Sequence, residues 1–171
     1  MGLIPRGSAS SLLSWYKMSQ DSKYIHKSHN VTVLLYHIVS SAKYRRVVFS
    51  PKVDLVLVSV CEEIEKRYEI KFLEIGTDAD HVHFLVQSVP SYSITKIVRT
   101  VKSLVAKEVF RQCPEVKSQL WGGEFWGKGF FANTVGQHGT EGMIANYVKN
   151  QGSNKKEYKC LKKDNQLVLF D

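Results

Sequence analysis

Two apolar, β-branched runs, IKFLEIGT at 70–77 and DHVHFLVQ at 80–87, are joined by a polar turn so short that the chain has to double back on itself. Strands connected this way form an antiparallel hairpin, because parallel neighbours need a crossover of about a dozen residues or more. Segments of helical character flank the hairpin. SPKVDLVLVSVCEEIEKRYE at 50–69 opens with Ser then Pro, a helix-start signal, and carries acids and bases through its second half. SITKIVRTVKSLVAKEVFRQ at 93–112 sets Ile94, Ile97, Val98, Val101, Leu104, Val105 and Val109 at helical spacing behind Ser93, a candidate cap.

Further strands are predicted over VTVLLYHIVS at 31–40, apolar enough for a central position, and over the aromatic, Gly-punctuated LWGGEFWGKGFFANTV at 120–135. A last helix is expected over TEGMIANYVKNQ at 140–151, with Thr140 as its cap and Gly152 beyond its end. The order strand, helix, strand, strand, helix, strand is the ferredoxin-like βαββαβ pattern of the α+β class, here followed by an extra C-terminal helix. In that arrangement both crossover helices cover one face of an antiparallel sheet. The other face is expected to be open.

A chain of 171 residues fits one compact domain. GLIPRGS at 2–8 resembles a thrombin-cleavage linker, so 1–17 is set aside as a probable expression linker, 18–152 is assigned to the domain and 153–171 to a basic tail. Outside the linker 22 basic residues face 16 acidic ones. That balance suits a polyanionic partner, and many ordinary soluble domains carry as much. Every apolar run falls far short of the roughly 20 residues that span a bilayer, so no membrane association is expected. Cys61, Cys113 and Cys160 are odd in number and widely spaced, which argues against a disulfide framework and a Cys-based zinc site and implies a reducing cytoplasm.

Side chains alternate along a strand, so Val82, Phe84 and Val86 share one face while His81, His83, Leu85 and Gln87 share the other. Two readings fit the adjacent imidazoles: a half-exposed strand whose polar face carries histidine, or a pair converging on one divalent metal ion. With the apolar set facing the helices, the histidines would project from the open face. The last helix carries Met143, Ile144, Tyr147, Val148 and Gln151 in one stripe. This is either a face that packs on a core or one that brings reactive groups to the histidines. Among the seven tyrosines outside the linker, only Tyr147 is followed four residues later by an amide or carboxylate.

If the stripe docks beside the histidines, Gln151 supplies an amide oxygen and Tyr147 a hydroxyl next to the ion. Two imidazoles and one amide leave coordination positions for substrate oxygens, and the mixed donor set is compatible with Mg²⁺ or Mn²⁺, although zinc would also tolerate it. A tyrosine nucleophile suits DNA, which lacks the 2′-hydroxyl that would let the strand attack its own phosphodiester.

These residues resemble the single-tyrosine HUH transposases, the TnpA-type enzymes of small bacterial insertion sequences of the IS-two-hundred group. HVHF is similar to the family's His-hydrophobic-His signature, and NYVKNQ to its nucleophile helix. YHIVSSAKYRR at 36–46 is similar to its first strand and basic turn, and FWGKGFFANTVG at 125–136 to the strand leading to the nucleophile. The likeness runs in the correct order over about residues 29–152. It implies His81, His83 and Gln151 as metal ligands and Tyr147 as the nucleophile. It also implies cleavage of single-stranded DNA through a 5′-phosphotyrosine link, rejoining to another strand, hairpin recognition near the element ends, and a homodimer whose tyrosine helix acts in trans.

Lys43, Arg45 and Arg46 beyond the first strand, and Lys96, Arg99, Lys102 and Lys107 on the second helix, are candidates for phosphate contacts or for solvated faces. Trp121, Phe125, Trp126, Phe130 and Phe131 are candidates for core or dimer contacts, or for base stacking. The rival expectations are a non-catalytic single-strand-binding module with incidental histidines, and an HUH replication initiator or relaxase.

Overall fold

A computed structural model describes residue 25, residues 32–135 and residues 159–163. Five strands, β1 (Leu34–Ser41), β2 (Ile70–Thr77), β3 (His81–Ser88), β4 (Phe131–Val135) and β5 (Lys159–Lys163), form one sheet in the order β4-β1-β3-β2-β5. Every neighbouring pair is antiparallel. The helices are α1 (Pro51–Arg67), α2 (Ile94–Gln112) and the short α3 (Pro114–Gln119). The expected βαββαβ order is present, with the 70–87 hairpin as β2 and β3.

Both long helices begin where the sequence predicts. Ser50 Oγ accepts the Val53 amide at 3.4 Å with Pro51 in the first turn, and Ser93 Oγ accepts the Lys96 amide at 3.2 Å. Each side chain satisfies one of the amides that a helix start leaves without an intrahelical partner. The apolar faces of α1 (Val53, Leu57, Ile64) and α2 (Ile97, Val101, Val105) bury against Ile38, Phe72, Ile75, Val82, Phe84 and Val86 of the sheet. Burial of this face by both helices commits the opposite side chains of β3 to the other surface.

Three expectations are corrected. The strand predicted over 120–135 is confined to Phe131–Val135: Gly122 and Gly123 take φ of 85° and 68°, a left-handed turn that interrupts extended pairing. Ahead of β4, Phe125 and Trp126 turn into the core instead of extending along the sheet. The second face is not open along its whole length: His37, Leu85 and Gln87 on it are buried, and it opens as a cleft beside His81 and His83. Among the described residues, Ile25 lies against this face, donating its amide to Gln87 Oε1 at 3.3 Å. Finally, the stretch assigned to a basic tail contributes β5, which pairs with β2 over Glu74–Thr77. The helix expected at 140–151 lies outside the described residues.

The packing predicts a contrast within α1. Leu57→Ala should cost about 2–5 kcal/mol, because Leu57 is fully buried under the sheet, while Leu55→Ala at an exposed position should stay within about 0.5 kcal/mol. Urea denaturation of the two variants checks this.

Candidate active site

Residues paired across an antiparallel ladder share a face. β1 and β3 pair His37 with Leu85, Val39 with His83 and Ser41 with His81, so His37 lies on the histidine side of the sheet. The imidazoles of His37 and His83 stack with centroids 5.3 Å apart and planes within 6°, and His37 Nε2 lies 3.1 Å from His83 Nδ1. The His81 ring sits at 4.9 Å from that of His83 and tilts by 63°. Three histidines therefore meet where spacing within one strand pointed to two. His37 is legible only through strand pairing, because it stands 44 positions before His81 in the chain.

His81 has its own anchor. Its Nδ1 lies 2.6 Å from Asp80 Oδ1, and Asp80 receives Arg45 Nε at 2.7 Å. Arg45 comes from a tight 3₁₀ turn, Lys43–Arg45, in which Tyr44 and Arg45 take φ of 56° and 52°. Non-glycine residues rarely adopt this left-handed region, and its cost is met by surrounding contacts. Here Ala42 N–H donates to Asp80 O at 2.8 Å and Lys43 N–H to Phe125 O at 2.8 Å, tying the turn to both the hairpin and the 120s segment. The strained turn thus delivers a guanidinium to the carboxylate that orients His81. Neither Asp80 nor the turn conformation was singled out in the sequence; the basic run KYRR gave only Arg45 itself.

Burial sets the charge state. His81 is 9% exposed and His83 3%. Burial, reinforced by the charges of His81 and His37, pushes the His83 pKa down to about 3, and burial also lowers that of His37 against a hydrogen bond with Asn133. Burial raises the Asp80 carboxyl, but hydrogen bonds from His81 and Arg45 and the charge of Arg45 outweigh it and hold the pKa below the ordinary carboxylate value. The result is a neutral His83 imidazole, the protonation state that metal ligation requires.

The two imidazoles line a cleft of about 470 Å³ together with Val39, Ser41, Arg45, Gly129, Phe130 and Phe131. With Nδ1 of each ring engaged by a protein partner, Nε2 is the nitrogen that His81 and His83 could direct at an ion. A second hydrogen-bonding partner on the ring is the usual way a ligand imidazole is oriented. Among the described residues no cluster of three or more His, Cys, Asp or Glu side chains could hold a metal, so a centre here needs a further donor. Gln151, the donor assigned in the sequence, and the nucleophile Tyr147 lie outside the described residues.

The basic candidates divide. Arg45 reaches the cleft, and Arg46 and Arg99 are exposed. Lys43 pairs with Glu124, and Lys96 sits 3.7 Å from the Tyr92 ring centre. Lys102 donates to Gly127 O at 2.7 Å and Gly129 O at 3.1 Å, so its ammonium is engaged with protein carbonyls.

A family model described as "Transposase IS200 like" matches residues 30–151. The ISDra2 transposase TnpA of Deinococcus radiodurans is 29% identical over 118 residues, which span 69% of this chain and 84% of that protein. The transposase for insertion sequence element IS200 of Salmonella typhimurium is 28% identical over 116 residues, 68% of this chain and 75% of that one. A crystal structure of a candidate transposase from Deinococcus radiodurans R1 superposes with a TM-score of 0.60 at 27% identity, covering 74% of this chain and 97% of its own.

The depressed His83 pKa makes a stability prediction. Between the unfolded value of 6.5 and the folded value of about 3, the unfolded chain binds a proton that the folded chain excludes. Stability should therefore be complete above pH 6.5 and decline as pH falls below it. Denaturation midpoints measured in the absence of divalent ions from pH 7.5 to pH 5 should fall with acid, and His83→Asn should make the fall shallower.

Proposed function

The chain belongs to the IS200-like transposase family, and on that premise we propose that it cleaves and rejoins single-stranded DNA at insertion-sequence ends through a covalent bond to Tyr147. The observation that carries this reading is the pair of buried, oriented imidazoles lining a cleft large enough for a nucleotide. The matched region also spans the positions of Tyr147 and Gln151.

In this scheme the phenolic oxygen of Tyr147 attacks the scissile phosphorus. The bond from phosphorus to the 3′-oxygen breaks, that oxygen leaves and takes up a proton, and the 5′-phosphate stays on the tyrosine. A 3′-hydroxyl of another strand then attacks the phosphotyrosine and restores the phenol, so no net hydrolysis occurs. A divalent ion held by His81, His83 and Gln151, Mg²⁺ or Mn²⁺, would supply electrostatic stabilisation of the phosphate oxygens. Asp80 and Arg45 keep the His81 ring in place, and His37 does the same for His83. Arg45 at the cleft also offers positive charge to the approaching strand.

The reading extends to a homodimer in which Tyr147 of one copy serves the histidines of the other, and to hairpins near the element ends as the recognised DNA. Free thiols at Cys61 and Cys113 accord with a cytoplasmic setting, and no helix among the described residues is long and apolar enough to cross a membrane.

The test is a denaturation-resistant adduct. Wild-type protein mixed with labelled single-stranded element ends should form one in Mg²⁺ or Mn²⁺ and not in EDTA. Tyr147→Phe should abolish the adduct and leave DNA binding within about twofold, while His81→Ala should lower adduct yield by 10²-fold or more. Binding indifferent to the ion, with no adduct from any variant, would favour the non-catalytic module.

A further inference from the structure

The five aromatic residues between 121 and 131 have separate fates. Phe125 and Trp126 are core residues, and Trp121 is 86% exposed away from the cleft lining. Phe130 and Phe131 remain 42% and 48% exposed, and both line the cleft that holds His81, His83 and Arg45. Two adjacent phenyl rings left half in water on the lining of one cleft mark a surface with an occupant.

The segment bearing them is fixed from beneath. Lys102 on α2 donates to the carbonyls of Gly127 and Gly129, and the indole of Trp126 donates to Lys102 O at 2.8 Å. Gly127 N–H bonds to Ser41 O at 2.9 Å, and a Cβ at Gly127 would stand 3.0 Å from Ser41 Oγ, so this backbone lies directly on the end of β1. Burial drags the Lys102 pKa down, so its ammonium is held here against a desolvation cost. Beyond the clamp, Phe131 enters β4 opposite Val39 and sets its ring against the edge of His37 at 6.3 Å. A Cβ at Gly129 would meet nothing within 4 Å, leaving the approach to the rings uncrowded.

We propose that Phe130 and Phe131 form a nucleobase-stacking wall of the cleft, held by the Lys102 clamp, which takes an unpaired base flanking the phosphate that sits at the histidines. This rests on the DNA-cleaving reading above and adds a subsite to it. The chemistry of the lining decides the occupant: cationic Arg45 suits a phosphate, while phenyl faces suit a planar base, and a nucleotide carries both groups. Stacking is tolerant of base identity, but it needs an exposed base face, which a duplex covers on both sides. The wall therefore selects single strands by shape. A wall that is already rigid loses little conformational freedom on binding, which is the role of the clamp.

The experiment is an abasic scan. Labelled single-stranded element ends, each carrying one abasic residue at a successive position around the scissile phosphate, are titrated with full-length protein in EDTA, so that binding is read apart from cleavage. One or two adjacent abasic positions should weaken wild-type binding by about 5- to 150-fold, the range for one lost stacked base. With Phe130→Ala or Phe131→Ala the intact strand should lose a comparable factor and those positions should cease to matter. Phe131→Trp should preserve the wild-type profile, and Lys102→Met should flatten it in part while thermal unfolding remains cooperative. A flat wild-type scan together with normal Tyr147 adduct formation would overturn the wall and leave the catalytic reading intact. Absence of both binding and adduct would sink the catalytic reading first. Phenylalanine variants that shift the protein to monomer while keeping the abasic profile would instead assign the rings to a contact between copies.

Discussion

The alternation of side chains along His81–Ser88 governs this molecule, because β3 is the middle strand of the five-stranded sheet and both of its faces are covered. Val82, Phe84 and Val86 join the helices in the core, where about 25 cal/mol per Å² of buried apolar surface ties them down. A slip of one residue would carry the histidines into that core and the apolar set out of it. The same packing that stabilises the domain therefore aims His81 and His83. Site geometry and core stability share one register.

From this follows the chemistry of the imidazoles. Near the middle of a covered sheet they lose water, and burial holds His83 neutral far below the pH at which a solvated histidine would charge. Loss of water also makes the hydrogen bonds to His37 and Asp80 stronger orienting forces than they would be at a surface. Each histidine is steadied by a different element: His83 by a neighbour one strand away, His81 by the hairpin turn and, through Asp80, by the strained turn after β1. The cleft lies where these elements end, and the segment before β4 closes it with two phenyl rings. Rigid strands at the back and a clamped loop in front make a site that needs little rearrangement to receive a flexible strand.

The hairpin, both long helices and their serine caps were legible because each rests on contacts close in sequence: a short connection, a 3.6-residue stripe, a side chain bonding three residues ahead. Other features had no local signature. Phe125 and Trp126 read as strand by composition, yet core space under α2 drew them inward and shortened β4 to five residues. Lys102 read as one more cation on a polar face, but the loop from 127 to 129 lies above it with two carbonyls to satisfy. β5 is short and lysine-rich, a composition that favours solvent, and it becomes a strand only because β2 presents an edge to pair with.

The sequence by itself determined the βαββαβ order, the faces of β3 and the candidacy of His81 and His83, since period and spacing are properties of the chain alone. Only the tertiary structure decided that His37 stacks on His83, that Asp80 and Arg45 hold His81, and that the face behind them is covered. Those contacts join residues that are from 35 to 46 positions apart in the chain, apart from the Asp80–His81 neighbours. Strand register, helix docking and a strained turn must all be in place before such groups can meet, and no local pattern encodes their sum.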